Sequence, residues 1–168
     1  MNNLNEYVRL ARNGSSDAFA KLYATVYKEM YHIALYNLRN SHDAGDVVSD
    51  AVLDAFCSIG KLKNADAFKG WIMKILYAKI KKRQREYFAP TDELDDDIPL
   101  SDDFQYDDVE LKEALGRLDN ESRLILSMSV LGGYSSSEIS QMCDLKPSSV
   151  RSRIARIKEK LRMELTAE

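Results

Sequence analysis

Apolar residues in the first part of the chain recur at spacings of three and four. Phe19, Leu22, Tyr23, Val26, Tyr27, Met30, Tyr31, Ala34, Leu35 and Leu38 fall on one face of a long helix. Ahead of it, Asn13-Gly14-Ser15-Ser16 reads as a helix stop followed by a cap, and Leu4, Val8 and Ala11 mark a shorter helix. A second stripe, Ala44, Val47, Val48, Ala51, Val52, Ala55, Phe56 and Ile59, predicts another helix, with Gly60 as its stop. The opposite face of that helix carries Asp43, Asp46, Asp50 and Asp54. After the polar stretch 61–66, Phe68, Trp71, Ile72, Ile75 and Leu76 predict a third helix from about Ala67. It ends in a basic run of Lys74, Lys79, Lys81, Lys82, Arg83 and Arg85, with no acid among residues 67–85.

The period is lost over 89–108, where Pro90, Pro99 and the Asp cluster at 95–97 predict a solvated linker. Fully extended, a segment of ~20 residues spans about 70 Å. Helical spacing resumes with Leu111, Ala114, Leu115 and Leu118, then with Leu124, Ile125, Met128 and Leu131, stopped by Gly132-Gly133. Ser135-Ser136-Ser137-Glu138 is a capping box opening a short helix with Ile139, Met142 and Cys143. Asp144-Leu145-Lys146 is a three-residue turn. Pro147 suits the first position of the next helix, where no N–H is needed. That last helix buries Val150, Ile154, Ile157, Leu161 and Leu165. The expected fold is all-α, two small helical domains (1–88 and 111–168) joined by an acidic linker (89–110).

Charge sharpens the division. Net charge is +5 over residues 1–88, −10 over 89–110 and +2 over 111–168. No apolar run of ~18 residues predicts a membrane span, and the first residues lack the basic and apolar segments of a secretory signal. Cys57 and Cys143 are too few for a disulfide scaffold or zinc cluster and read as reduced thiols in a cytosol.

The short helix, tight turn and basic helix form a helix-turn-helix signature. Six basic residues stand against two acidic ones over 148–164, with Ser148, Ser149 and Ser152 small enough for close approach to a major groove. A solvated amphipathic helix is the plainer alternative. The basic run at 74–85 is interleaved with aromatics, the pairing that single-stranded nucleic acid requires, and Tyr77 is the stacking candidate. A solvated helix end fits the same run. The acidic row could be a wet face, a docking surface for a basic partner, or a carboxylate or metal site. For catalysis it lacks a nucleophile, a phosphate loop and a completed ligand set beyond His42. No enzymatic role, metal or cofactor is therefore expected.

Two motif sets coincide in order and spacing. Ala18-Phe19 with Leu22-Tyr23, Asn40…Asp43-Ala44-Gly45-Asp46-Val47-Val48, and Phe68…Trp71-Ile72…Ile75 form the first. Ala114-Leu115…Leu118, Gly133-Tyr134-Ser135…Glu138-Ile139 and Val150-Arg151-Ser152-Arg153 form the second. Together they resemble region 2 and region 4 of bacterial RNA polymerase sigma factors of the extracytoplasmic-function (ECF) group, over about 130 of the 168 residues.

The resemblance implies a cytoplasmic bacterial protein that binds core RNA polymerase, recognises promoter −10 and −35 elements, and performs no chemistry itself. Asp43, Asp46, Val47, Asp50 and Asp54 would dock on the polymerase. Lys61, Lys63, Asn64, Lys74, Tyr77, Lys79, Lys81, Lys82, Arg83 and Arg85 would capture the −10 element as a single strand. Lys146, Ser148, Ser149, Arg151, Ser152, Arg153 and Arg156 would read the −35 duplex. An anti-sigma factor is the implied regulator. Asp144 stands where the family's turn has Gly, and Lys146 where Ser caps the recognition helix. The other reading of the same elements is a stand-alone helix-turn-helix regulator whose N-terminal helices bind a protein.

Overall fold

The computed structural model describes residues 3–87, 113–114 and 116–166. The predicted linker over 89–110 lies outside them, as do Leu111 and Leu115. The chain divides into two compact units near residue 92. Among the described residues every regular element is a helix.

The first unit contains α1 (Asn3–Arg12), α2 (Ser16–Leu38), α3 (Ser41–Ser58) and α4 (Phe68–Glu86). Two single 3₁₀ turns, Ile59–Lys61 and Ala65–Ala67, join α3 to α4. The predicted stop and cap between α1 and α2 are both present. Gly14 takes φ +96°, and the Gly14 and Ser15 N–H groups donate to the Ala11 and Leu10 carbonyls, each at 3.0 Å. Ser15 Oγ then accepts from the Ala18 N–H at 3.2 Å. The α2–α3 corner is equally tight. Arg39 adopts φ +56° and donates its N–H to the Leu35 carbonyl at 2.8 Å. Asn40 caps α3 through the Asp43 N–H at 3.0 Å.

Gly60 is not the predicted left-handed stop. The end of α3 tightens into the 3₁₀ turn, and Gly60 lies inside that turn with no positive φ. The core of this unit packs α2, α3 and α4 together. Leu22, Met30 and Ile33 of α2 and Ile72, Met73, Leu76 and Ile80 of α4 are all fully buried in it. Burying side chains of this size contributes about 1.5–3 kcal/mol each. The tyrosines of the predicted α2 stripe edge this core. Tyr27 is 46% exposed, and its ring lies 5.5 Å from Tyr23 and 6.5 Å from Tyr31.

The second unit contains α5 (Asn120–Val130), α6 (Ser136–Cys143) and α7 (Pro147–Thr166). Leu124, Ile125 and Met128 of α5, Ile139 of α6 and Val150 of α7 are fully buried. Leu126, Ile157 and Leu161 form a second cluster with Ala114 and Leu118. Leu165 is only half-buried. Arg123, an unexpected core residue at 6% exposure, donates to the Gly116 carbonyl at 3.1 Å and the Leu118 carbonyl at 2.8 Å. It thereby satisfies backbone acceptors that the preceding helical turn leaves open. After α5, Gly133 takes φ +67°. Gly132 is required for a different reason: a Cβ there would collide with the Tyr134 ring and sit 2.7 Å from the Met128 carbonyl oxygen.

Candidate nucleic-acid and partner interfaces

The capping box at Ser135 orients the short helix of the helix-turn-helix. Ser135 Oγ accepts from the Glu138 N–H at 3.2 Å, and the Glu138 carboxylate accepts from the Ser135 N–H at 2.9 Å. Asp144 then turns the chain in the left-handed region, φ +57° and ψ +35°. The Leu145 N–H closes the turn on the Ser140 carbonyl at 3.2 Å. α7 follows at once from Pro147. Val150, Ile154, Ile157 and Leu161 point inward, which leaves Lys146, Ser148, Ser149, Arg151, Ser152 and Arg156 exposed. This is a small-residue face with cations at its margins.

Arg153 departs from that pattern. It is half-buried, and its Nη1 lies 2.8 Å from Glu121 Oε2 in the first turn of α5. Asp119, the N-cap of α5, accepts from the Ser122 N–H at 2.8 Å and the Ser122 hydroxyl at 2.9 Å. Partial burial opposes ionisation of Asp119. The two Ser122 bonds and the Arg153 charge outweigh it, and the carboxyl titrates below its ordinary value.

In the first unit the acidic row is partly engaged. Asp43 Oδ1 faces Arg83 Nη1 at 3.8 Å, and Asp54 Oδ2 faces Lys79 Nζ at 2.7 Å. Asp46 Oδ2 lies 3.2 Å from His42 Nδ1, while Asp50 is exposed. His42, Asp43 and Asp46 bring one possible ligand atom each within 4.8 Å of one another. That group sits at the positive N-terminal end of α3, an unfavourable place for a cation.

Val47 does not belong to the exposed row. At 2% exposure it packs in the core, because its position shares the face of Ala44, Val48 and Ala51. Two apolar side chains take its place on the outer face. Leu53 is 63% exposed beside Asp54, and Phe56 is 38% exposed with its ring edge-on to Phe19 at 5.2 Å. Leu53 had a sequence signal, a large aliphatic residue off the buried stripe. Phe56 had none, since it matches the stripe's spacing.

Tyr77 is the other correction. Its ring is buried at 5% exposure and cannot present a free face for stacking. The apolar arc of α4 is centred on Ile72, Met73, Leu76 and Ile80, which draws Tyr77 inward and leaves Trp71 half-buried. Lys81 sets its Nζ 5.4 Å from the Tyr77 ring centroid. Lys79 and Arg83 lean toward the acids of α3. Lys74, Lys82 and Arg85 are exposed on α4, and Lys61, Lys63 and Asn64 are exposed before it. Asn64 also accepts from the Asp66 N–H at 3.0 Å, capping the second 3₁₀ turn.

A capped four-helix unit with adjoining acidic and basic faces, and a second unit built as a helix-turn-helix, define a DNA-binding transcription protein. Family models agree with both halves in order. The model for Sigma-70 region 2 matches residues 22–87, and that for Sigma-70 region 4 matches residues 108–161. The chain is 28% identical over 151 residues to the ECF RNA polymerase sigma factor SigM of Mycobacterium tuberculosis, covering 88% of this chain and 77% of that protein. It is 24% identical to RNA polymerase sigma factor SigV of Bacillus subtilis, covering 84% and 87%.

Among solved structures, the sigma factor RpoE in complex with the anti-sigma factor NepR, from Bartonella quintana, superposes with TM-score 0.74. Identity there is 20%, covering 89% of this chain and 98% of that one. CnrH in complex with the cytosolic domain of CnrY gives TM-score 0.73 at 22% identity, covering 96% of each chain. The chain belongs to the sigma-70 family of RNA polymerase sigma factors, in its ECF group. It is a promoter-recognition subunit for core RNA polymerase, and the stand-alone regulator reading gives way to this one.

Proposed function

We propose that the two units divide the work of promoter recognition. The α3 face of Asp46, Asp50 and Asp54, with Leu53 and Phe56 beside them, docks on a basic and apolar surface of the polymerase. The exposed cations Lys61, Lys63, Lys74, Lys82 and Arg85, with Asn64, hold the −10 element as a single strand. Lys81, Lys79 and Arg83 lie behind them. The outward face of α7, with Lys146, Ser148, Ser149, Arg151, Ser152 and Arg156, enters the −35 major groove.

The observation that carries this reading is the pairing of an acid-and-apolar outer face on α3 with exposed cations on α4 in one unit. A repressor's protein-interaction domain does not need that pair. The protein binds and orients and does no bond chemistry. It works in the cytoplasm, where promoters are, and no helix among the described residues is long and apolar enough to cross a membrane. Of the solved neighbours described above, the sigma factor RpoE is in complex with the anti-sigma factor NepR, and CnrH with the cytosolic domain of CnrY. By that likeness an anti-sigma factor is the regulator we assign to this chain.

The test is co-elution of the full chain with sigma-free core polymerase on a sizing column. We expect wild type to co-elute and Asp46→Arg, which reverses an exposed charge, to fall away. A folded wild-type chain that fails to bind at low salt overturns the docking assignment.

A further inference from the structure

We propose that Arg153 is a positioning residue of the recognition helix and not one of the groups that reach DNA. The inference rests on the −35 reading of α7 given above.

Six cations decorate α7. Arg151, Arg156, Lys158, Lys160 and Arg162 are exposed, and Arg153 is half-buried. Among the described residues Arg153 is also the cation of α7 that is ion-paired to another helix, with Glu121 of α5. Arg162 pairs too, but with Glu159 three residues away on its own helix and in solvent, so it ties α7 to nothing. Arg156 donates its Nε to the Ser152 carbonyl, again within α7.

Helical geometry explains the difference. The buried line of α7 runs through Val150, Ile154, Ile157 and Leu161, and the outward line through Ser148, Ser152 and Ala155. Arg153 projects beside Ile157, on the flank that meets α5. There its guanidinium stands against Glu121 and lends its charge to Asp119. A phosphate would have to compete with Glu121 for the charge of Arg153, and the neutral pair offers a phosphate little net attraction.

What the pair does is fix rotation. α5 and α7 share the Leu126, Ile157 and Leu161 cluster, whose hydrophobic attraction is non-directional and by itself leaves α7 some freedom to turn. A directional ion pair at the edge of the cluster removes that freedom. It holds Ser148, Ser152 and Arg156 toward the groove.

The two roles give opposite signs for one substitution. If Arg153 were a DNA contact restrained by Glu121, then Glu121→Gln would free it and tighten binding. If it positions α7, Glu121→Gln weakens binding. The probe is a duplex selected from a random pool by the wild-type chain, bound by full-length protein across a salt series.

We expect Glu121→Gln and Arg153→Gln each to weaken binding about fivefold, with an unchanged slope of log affinity against log salt. Arg153→Lys keeps the pair and binds near wild type. The swapped pair Glu121→Arg with Arg153→Glu recovers most of the lost affinity. Arg156→Gln is the control for a phosphate contact and lowers the slope by about 0.9. A slope change of that size in Arg153→Gln, or tighter binding by Glu121→Gln, overturns the inference. Circular dichroism melts identify any variant that has merely unfolded, and Arg153→Lys then decides. A wild-type chain that selects no duplex refutes the −35 reading itself, a different result from all of these.

Discussion

Replacing Asp144 first with Asn and then with Gly separates two costs that meet at one residue of the helix-turn-helix. Asp144 is the C-cap of α6, at φ +57°. Its carboxylate sits at the negative end of the helix, which costs about 0.3–1 kcal/mol at low salt. α6 has eight residues, so the lower half of that range applies, about 0.5 kcal/mol. The left-handed backbone costs any residue with a Cβ, though Asp and Asn less than most. Gly removes that strain but adds entropy to the unfolded chain, leaving a net gain of about 0.5 kcal/mol.

The Asp→Asn step and the Asn→Gly step should therefore each stabilise the second unit by a similar amount. Together they give about 1 kcal/mol, or a Tm rise of about 4–8 °C for a unit of this size. Scanning calorimetry of the full chain is the assay, with the first unit's transition as the internal control. Salt should shrink the first step by screening and leave the second unchanged. An Asn variant no more stable than wild type, with a Gly variant less stable, would refute both the dipole and the backbone argument.

Three further outcomes follow from the packing of the same unit. Gly132→Ala should destabilise by about 1–3 kcal/mol, since the added methyl meets the Tyr134 ring and the Met128 carbonyl, and thermal melting reads it directly. Arg123→Ala should cost about 1–3 kcal/mol by withdrawing the donor from the buried Leu118 and part-buried Gly116 carbonyls, seen as a lower urea midpoint at unchanged m. Asp119 titrates below its usual 3.8 when folded, so its contribution is complete above that value and drains away as pH falls through the folded one. Asp119→Asn keeps a capping oxygen and should flatten that part of the acid limb in pH-dependent unfolding.

Among the described residues local chemistry was largely legible, with Gly60 the exception. Ser15, Ser135, Glu138, Gly14 and Pro147 each act on neighbours within a few residues, and each is found doing what its type and spacing predict. Rotation of a helix about its axis was less legible. Tyr77 and Trp71 lie on opposite margins of the α4 stripe, and spacing alone selected Trp71 for the core. The packing of α2 and α3 against Met73 and Ile80 turns the helix the other way. Phe56 errs in the opposite sense, because it lies at the margin of the buried arc of α3, about 100° round the helix from Ala55, and is only partly covered. Val47 shows the same limit for a motif: a residue conforming to a family pattern can serve the core while its neighbours serve the partner. Pairs between distant segments, Arg153 with Glu121 and Lys79 with Asp54, leave no trace in periodicity at all.

Those distant pairs also bear on how docking and DNA capture relate. Asp54 lies in the face assigned to the polymerase, and Lys79 in the helix assigned to the −10 strand, yet the two side chains meet at 2.7 Å. Asp50, one turn earlier, is exposed and, among the described residues, forms no ion pair with a cation of α4. The two carboxylates should therefore behave differently when neutralised. Asp50→Asn removes a docking charge alone, weakening co-elution with core polymerase and leaving the free chain's affinity for a fluorescent single-stranded oligonucleotide unchanged. Asp54→Asn weakens docking and also releases Lys79, so single-strand affinity measured by anisotropy should rise. Stability should fall by less than about 1 kcal/mol, since the pair is partly exposed to solvent. Identical single-strand affinities for the two variants would mean that the Asp54–Lys79 pair does not restrain the lysine. The acidic row and the basic helix would then act as independent surfaces.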